Sequence, residues 1–225
     1  EANPQTPEML EELGGFLGRL DLALSGFTHP AARDSDLAWN PALALEVISR
    51  HLDAIADPGR RDLVEHFVRI ADATLAPILH RLRSGVIHND ANDYNVLVGP
   101  PAPAGGPRPR QIVGLLDFGD MLHAWIACEP AVAISYAMLG QADPLAAAAR
   151  VTAGYHRAHP LTEPEVEALW PLALIRLCTS VCLSAHRRTA EPDNAYLTIS
   201  ETPAWRALEA MRAIHPRLAH YTLRA

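Results

Sequence analysis

At 225 residues, 49% of them apolar, the chain is long enough to bury one good core. A net charge of −7 with no basic face argues against a nucleic-acid partner. The first helical candidate, Thr6 to Leu24, carries Glu8, Glu11, Glu12, Arg19 and Asp21, so it is neither a signal peptide nor a membrane helix, and a cytoplasmic protein with no membrane partner is expected.

In chain order, Thr6 can cap and Pro7 can occupy the first turn of a helix to about Leu24. Its apolar positions Leu10, Leu13, Leu17, Leu20 and Leu24 recur every three to four residues, which buries one face; Gly14, Gly15 and Gly18 fall inside the same pattern. Ser25 to Asn40 is a loop containing Gly26, Pro30 and Asp34, with Trp39 expected to anchor it and His29 expected to be structural. Asn40-Pro41 repeats the cap-then-proline signal and starts a helix to about Leu52. Asp57-Pro58 does so again, opening a long helix through Leu63, Phe67, Ile70, Leu75, Ile78, Leu79 and Leu82 that stops before Ser84-Gly85.

Residues 86–98 then run from a short apolar strand through a polar loop into a second strand. Gly99 to Arg110 is too rich in proline and glycine for helix or central strand and is expected to be a lengthened hairpin before the strand Ile112–Leu116. After Asp120 the pattern turns helical: Glu129 to Leu139, about Pro144 to His159, and a capping box at Thr162 and Glu165 leading a long apolar helix to about Arg187. Thr202-Pro203 begins the last expected helix, through Trp205, Leu208 and Met211. Cys178, Cys182 and His186 would share a face of the long helix, a conceivable metal site, but the neighbours Leu177, Val181 and Leu183 favour buried thiols. The fold class expected is α+β, mostly helical, with one small β-ribbon carrying the chemistry.

That chemistry lies in two loops. His88, Asp90 and Asn95 are spaced H-x-D-x-x-x-x-N between the first two strands, and Asp117-Phe118-Gly119-Asp120 follows the third. One acid to receive a hydroxyl proton and two oxygen ligands for magnesium are what phosphoryl transfer needs. Together these motifs resemble those of the aminoglycoside phosphotransferase/choline kinase family, nearest in look to hydroxylysine-kinase-like and homoserine-kinase-like members. The stretch Leu22 to Ala32 with Trp39 adds to the likeness.

The resemblance implies a protein-kinase-like fold, of which residues 1–225 form a single C-terminal lobe: 1–85 helical, 86–120 the catalytic and metal-binding ribbon, 121–225 a helical acceptor side. It implies Asp90 as the base, Asn95 and Asp117 as Mg2+ ligands, Leu97 beneath the base of ATP or GTP, and His88 as a brace behind the loop. Gly119 would allow close backbone approach, while Asp120 would meet metal or substrate through water, or cap the next helix. Asp93, Asp120 and Glu129, with Tyr94, Trp125 and Tyr136 close in sequence, would suit an amine on the acceptor, an amino alcohol, hydroxy amino acid or aminoglycoside.

Departures from the family pattern bound the expectation. Asn89 stands where many members have glycine and protein kinases have arginine, and no Ala-Pro-Glu segment follows Asp120, so the acceptor should be small. All 19 basic residues are arginine, which leaves no strand lysine for the phosphates, and no glycine-rich phosphate loop precedes residue 86. The nucleotide-covering lobe is therefore expected upstream of Glu1. The alternative is a non-catalytic binding or regulatory module of a larger protein. Hydrolysis of the nucleotide would use the same residues.

Overall fold

The computed structural model describes residues 5–33, 36–100, 111–190 and 201–224. Helix α1 (Pro7–Leu24) starts where a side chain can take an orphan backbone N–H: Thr6 Oγ1 accepts from Met9, with Pro7 in the first turn. Its buried face includes Leu10, Gly14, Leu17 and Gly18 and lies against α5 (Pro144–Ala158). The glycines set the separation of this pair. A Cβ on Gly14 would sit 2.0 Å from the carbonyl oxygen of Val151, and one on Gly154 would sit 1.8 Å from that of Glu11. The two helices therefore meet backbone to backbone.

Where the chain departs from expectation, local chemistry explains it. Asn40 Oδ1 accepts from Ala42 only two residues on, which closes a 3-10 turn over Pro41–Leu43 before α2 (Ala44–His51). Helix α3 (Pro58–Leu75) is capped by Asp57 as expected but stops well before Leu82, because Pro77 has no N–H to continue it. Two further elements were missed. Strand β4 (Leu122–Trp125) occupies part of the stretch expected to turn helical, and α8 (Pro216–Arg224) follows α7 (Glu201–Met211), which was expected to be last. Most of the Gly99–Arg110 connection, and Asp34 in the earlier loop, lie outside the described residues.

The expected single ribbon is two. β1 (Ser84–Ile87) pairs antiparallel with β4, Ser84 opposite Trp125 and Ile87 opposite Leu122; β2 (Val96–Val98) pairs antiparallel with β3 (Ile112–Leu115). The polar loop after β1 and the loop after β3 each pass between ribbons.

The core is organised on α6 (Glu163–Ala190), against which α2, α3, α4 (Cys128–Ala137) and α7 pack. By length and composition its stretch Glu163–Thr189 could cross a membrane, contrary to expectation, but 94% of its apolar window is buried by the rest of the protein. It is a core helix here. Cys178 and Cys182 are buried on it with Cys128 nearby on α4, and burial pushes all three thiols up, Cys182 to about 12. Among the described residues no three metal-ligating side chains cluster.

Glu165 joins the start of α6 to the start of β1. One carboxylate oxygen accepts from Thr162 N–H at 2.7 Å, half of the expected capping box, while Arg83 donates Nε and Nη2 to the two oxygens at 2.8 and 2.7 Å. Arg83 Nη2 also donates to the carbonyl of Pro160.

A second buried acid ties α1 to α5. Asp21 is 4% exposed and accepts from the Tyr155 hydroxyl, which also lies 3.3 Å from His159 Nδ1. Burial, with Glu129 nearby, pushes the Asp21 carboxyl up to about 9. Between its ordinary value and about 9 the folded state holds a proton that the unfolded chain has lost, so stability falls as pH rises through that window. Asp21→Asn should flatten the slope and raise stability at pH 8 by on the order of 2 kcal/mol. Urea midpoints at pH 5 and pH 8 check this: an unchanged difference between the two would show that Asp21 is already ionised when folded.

Candidate active site

β1 delivers its last residue, Ile87, into the core, and the chain then makes a sharp turn at two fully buried polar residues, His88 and Asn89. Asn89 has φ 67°, in the left-handed region where asparagine is among the tolerated residues. Its N–H donates to Glu129 Oε2 at 2.9 Å, and its side-chain amide reaches the carbonyls of Trp39 (3.3 Å) and Asp120 (3.4 Å). These contacts hold the turn from three directions and explain how asparagine serves here.

His88 is held at both ring nitrogens. Asp90 N–H donates to Nδ1 at 3.2 Å, so the proton is on Nε2, which donates to the carbonyl of Leu116 at 2.9 Å. Phe118 packs edge-on against the ring at 4.8 Å. With both nitrogens occupied, the imidazole is a brace between the two loops.

Asp90 lies just beyond, with a side chain 18% exposed. Asn95 Nδ2 donates to Asp90 Oδ2 at 2.7 Å and to its carbonyl at 2.9 Å, Asn92 Nδ2 donates to Oδ2 at 3.0 Å, and Arg176 Nη2 donates to Oδ1 at 3.1 Å. Burial pushes the Asp90 carboxyl above its ordinary range, and the charge of Asp120 adds to that; Arg176 and Asn92 pull it back. Asn92 also shapes the loop, its Oδ1 accepting from Tyr94 and Asn95.

The second loop is tied to the first through Leu116, whose N–H donates to the carbonyl of Asn95 at 2.8 Å while its own carbonyl takes the His88 proton. Asp117 follows, exposed, at φ 57°, with Oδ1 accepting from Gly119. A Cβ on Gly119 would lie 3.0 Å from that oxygen, so glycine permits the close return. Because Asn95 Nδ2 is committed to Asp90, Oδ1 is the end of that amide turned away from it. An amide oxygen and a carboxylate are hard donors of the kind magnesium takes, so Asn95 and Asp117 fit the ion.

The other candidates divide. Leu97, 42% exposed, lines an open cleft of about 590 Å³ with Val96, Ile112, Met9 and Tyr136. Asp93 and Tyr94 border that same cleft, as does Ala91, the neighbour of Asp90. Asp120 is half-buried and close enough to Asp90 to act on its charge. Glu129 is overturned as an acceptor ligand: it is 0% exposed, its carboxyl is pushed up by burial, and it braces Asn89. Trp125 sits in β4, packed against the core.

Arg176 was missed. It stands on α6, 7% exposed, with its guanidinium carbon 4.1 Å from the centre of the Trp39 ring. The signal was present as one arginine in the apolar run Leu174-Ile175-Arg176-Leu177-Cys178, since a charge on a core helix requires a partner. The partner's identity was not in the sequence.

Comparison with known proteins places the chain in a family and a fold. The sequence profile described as the phosphotransferase enzyme family matches residues 1–170. Hydroxylysine kinase of Bos taurus is 30% identical over 212 residues, 92% of this chain and 56% of that protein, and the Mus musculus protein is 29% identical over 91% and 55%. The chain thus spans about half the length of the curated relatives it matches. Among solved structures, an aminoglycoside phosphotransferase from Alicyclobacillus acidocaldarius superposes with TM-score 0.63 at 16% identity, covering 99% of this chain and 67% of that one. An amicoumacin kinase in complex with AMP-PNP, Ca2+ and Ami superposes with TM-score 0.58 at 13% identity, covering 93% and 60%. At these identities the likeness establishes the fold, which is kinase-like.

Proposed function

Because the chain belongs to the phosphotransferase enzyme family, we propose that it is the metal- and acceptor-binding lobe of a small-molecule kinase. The kinase would pass the γ-phosphoryl group of ATP or GTP to a hydroxyl of a small amine: a hydroxy amino acid such as hydroxylysine, an amino alcohol or an aminoglycoside. One observation carries this reading. Asp90, Asn95, Leu116 and His88 form a closed hydrogen-bonded unit, so the proposed base and one proposed metal ligand share a bond of 2.7 Å, and the residue before Asp117 is bonded twice to the first loop.

In the proposed reaction Asp90 orients the acceptor hydroxyl and takes its proton as the new phosphorus–oxygen bond forms. The bond from the γ-phosphorus to its bridging oxygen breaks, and the nucleoside diphosphate leaves. Asn95 Oδ1 and Asp117 would hold magnesium, which when bound neutralises charge on the β- and γ-phosphates. Leu97 would lie beneath the nucleotide base at the cleft it lines. His88 keeps the two loops at a fixed separation throughout, since both its nitrogens are engaged. Asp120, beside Asp90, would serve the acceptor's amine.

The test is nucleoside diphosphate release by the full-length protein with magnesium and ATP or GTP, over hydroxylysine, amino alcohols and aminoglycosides. Release that depends on an acceptor is the expected result. Nucleotide binding with no release for any acceptor would replace this reading with a non-catalytic module.

A further inference from the structure

Arg176 does two things at once, and one of its nitrogens does neither. Nη2 donates to Asp90 Oδ1, and the guanidinium carbon lies over the Trp39 ring, with the Tyr136 ring at 5.9 Å. Nε is buried and has no hydrogen-bond partner. A charged N–H kept from water without an acceptor is a costly arrangement on a core helix, and it persists where a ligand supplies the acceptor.

A cavity of about 30 Å³ is lined by Arg176 together with Trp39, Ala44, Cys128, Val132, Leu172 and Thr179. Among the described residues that line it, Arg176 is the one charged group. That space takes about two water-sized groups, roughly the two oxygens of a carboxylate. The planar guanidinium, fixed by the Trp39 ring, presents the geometry a carboxylate matches. Arg176 stands between the cavity and Asp90. An anion in the cavity and a hydroxyl at Asp90 would therefore be separated by about the width of one guanidinium group.

We propose that Arg176, seated on Trp39, is the anchor for a carboxylate on the acceptor, which makes the acceptor a small hydroxy amino acid. This rests on the kinase reading above and narrows it: an aminoglycoside has no carboxylate to offer, and a simple amino alcohol leaves the buried Arg176 Nε without an acceptor. The amine of the same acceptor is left to Asp120, whose charge acts on Asp90.

The test compares hydroxylysine with its carboxylate-free counterpart 1,5-diaminopentan-2-ol and with hydroxylysine methyl ester, using the full-length protein, magnesium and ATP or GTP. The wild-type protein should favour the free acid over both by roughly tenfold to a hundredfold in kcat/KM. In Arg176→Lys the turnover of every acceptor falls through the lost contact with Asp90, so the ratio between acceptors is the readout, and it should collapse toward one. Should the ratio persist in that variant, or the wild-type protein use ester and acid equally well, the carboxylate site is overturned while the kinase reading stands. The same holds if only aminoglycosides are turned over. No turnover with any acceptor would overturn the kinase reading itself. The ester comparison needs no variant, so it decides the matter even where Arg176→Lys fails to fold.

Discussion

Asp90→Asn should lower kcat of the full-length protein roughly 10²- to 10⁴-fold with its preferred acceptor, the range a positioned general base supplies. The substitution keeps the size of the side chain and one acceptor oxygen, but it removes the oxygen pair that receives donors from Arg176, Asn92 and Asn95. An amide nitrogen placed there would face donors on either side, so the loop should also lose stability, by about 1–2 kcal/mol. Nucleotide affinity should change little, because Leu97 and Asp117 are untouched. Steady-state kinetics beside direct nucleotide titration separates these effects. If kcat stayed within threefold of wild type, proton removal would have to be assigned to another group.

The largest effect on stability is expected at the crossing of α1 and α5. Gly154→Ala puts a methyl carbon where the Glu11 carbonyl oxygen would be 1.8 Å away and the Glu11 carbonyl carbon 2.7 Å away. Both are backbone atoms of a packed helix, so neither can swing aside. The two helices must separate, which disturbs Leu17 and the contact of Asp21 with Tyr155. The helix propensity gained by replacing glycine is about 1 kcal/mol. The clash should exceed it and leave a net loss of roughly 3 kcal/mol or more, a large share of what holds a domain together. Gly14→Ala, aimed at Val151 from the other helix, should behave alike, and the pair should be non-additive because each relieves the other's constraint. Gly26→Ala is the control: nothing lies within 4 Å of the added carbon, and its midpoint in urea should match the wild type. Equal midpoints for Gly154→Ala and Gly26→Ala would mean that the crossing is looser than described.

Cap residues and periodicity are local properties, and they placed the helices well. Thr6 and Asp57 each accept a hydrogen bond from the first turn of the helix they precede. Glu165 reaches back to Thr162 as the capping box requires. Errors arose where pairing depends on partners distant in the chain. Leu122 to Trp125 became a strand because β1 needed an edge partner, and nothing within the four residues announces that. The same dependence made two ribbons of an expected one.

The two loops carry their chemistry in the sequence, because the spacing from His88 to Asn95 fixes how far a carboxylate and a carboxamide can stand apart on one turn. Sequence alone thus determined a mostly helical fold and several of its caps, and it placed Asp90, Asn95 and Asp117 on two loops. Tertiary structure decided which charges share a space. It buried Glu129 behind Asn89 instead of in a pocket, brought Arg176 across 86 residues to Asp90, and pressed α1 onto α5 through bare glycine backbone. Desolvation and close packing act between surfaces, and residues far apart in the chain share a surface only once it has folded.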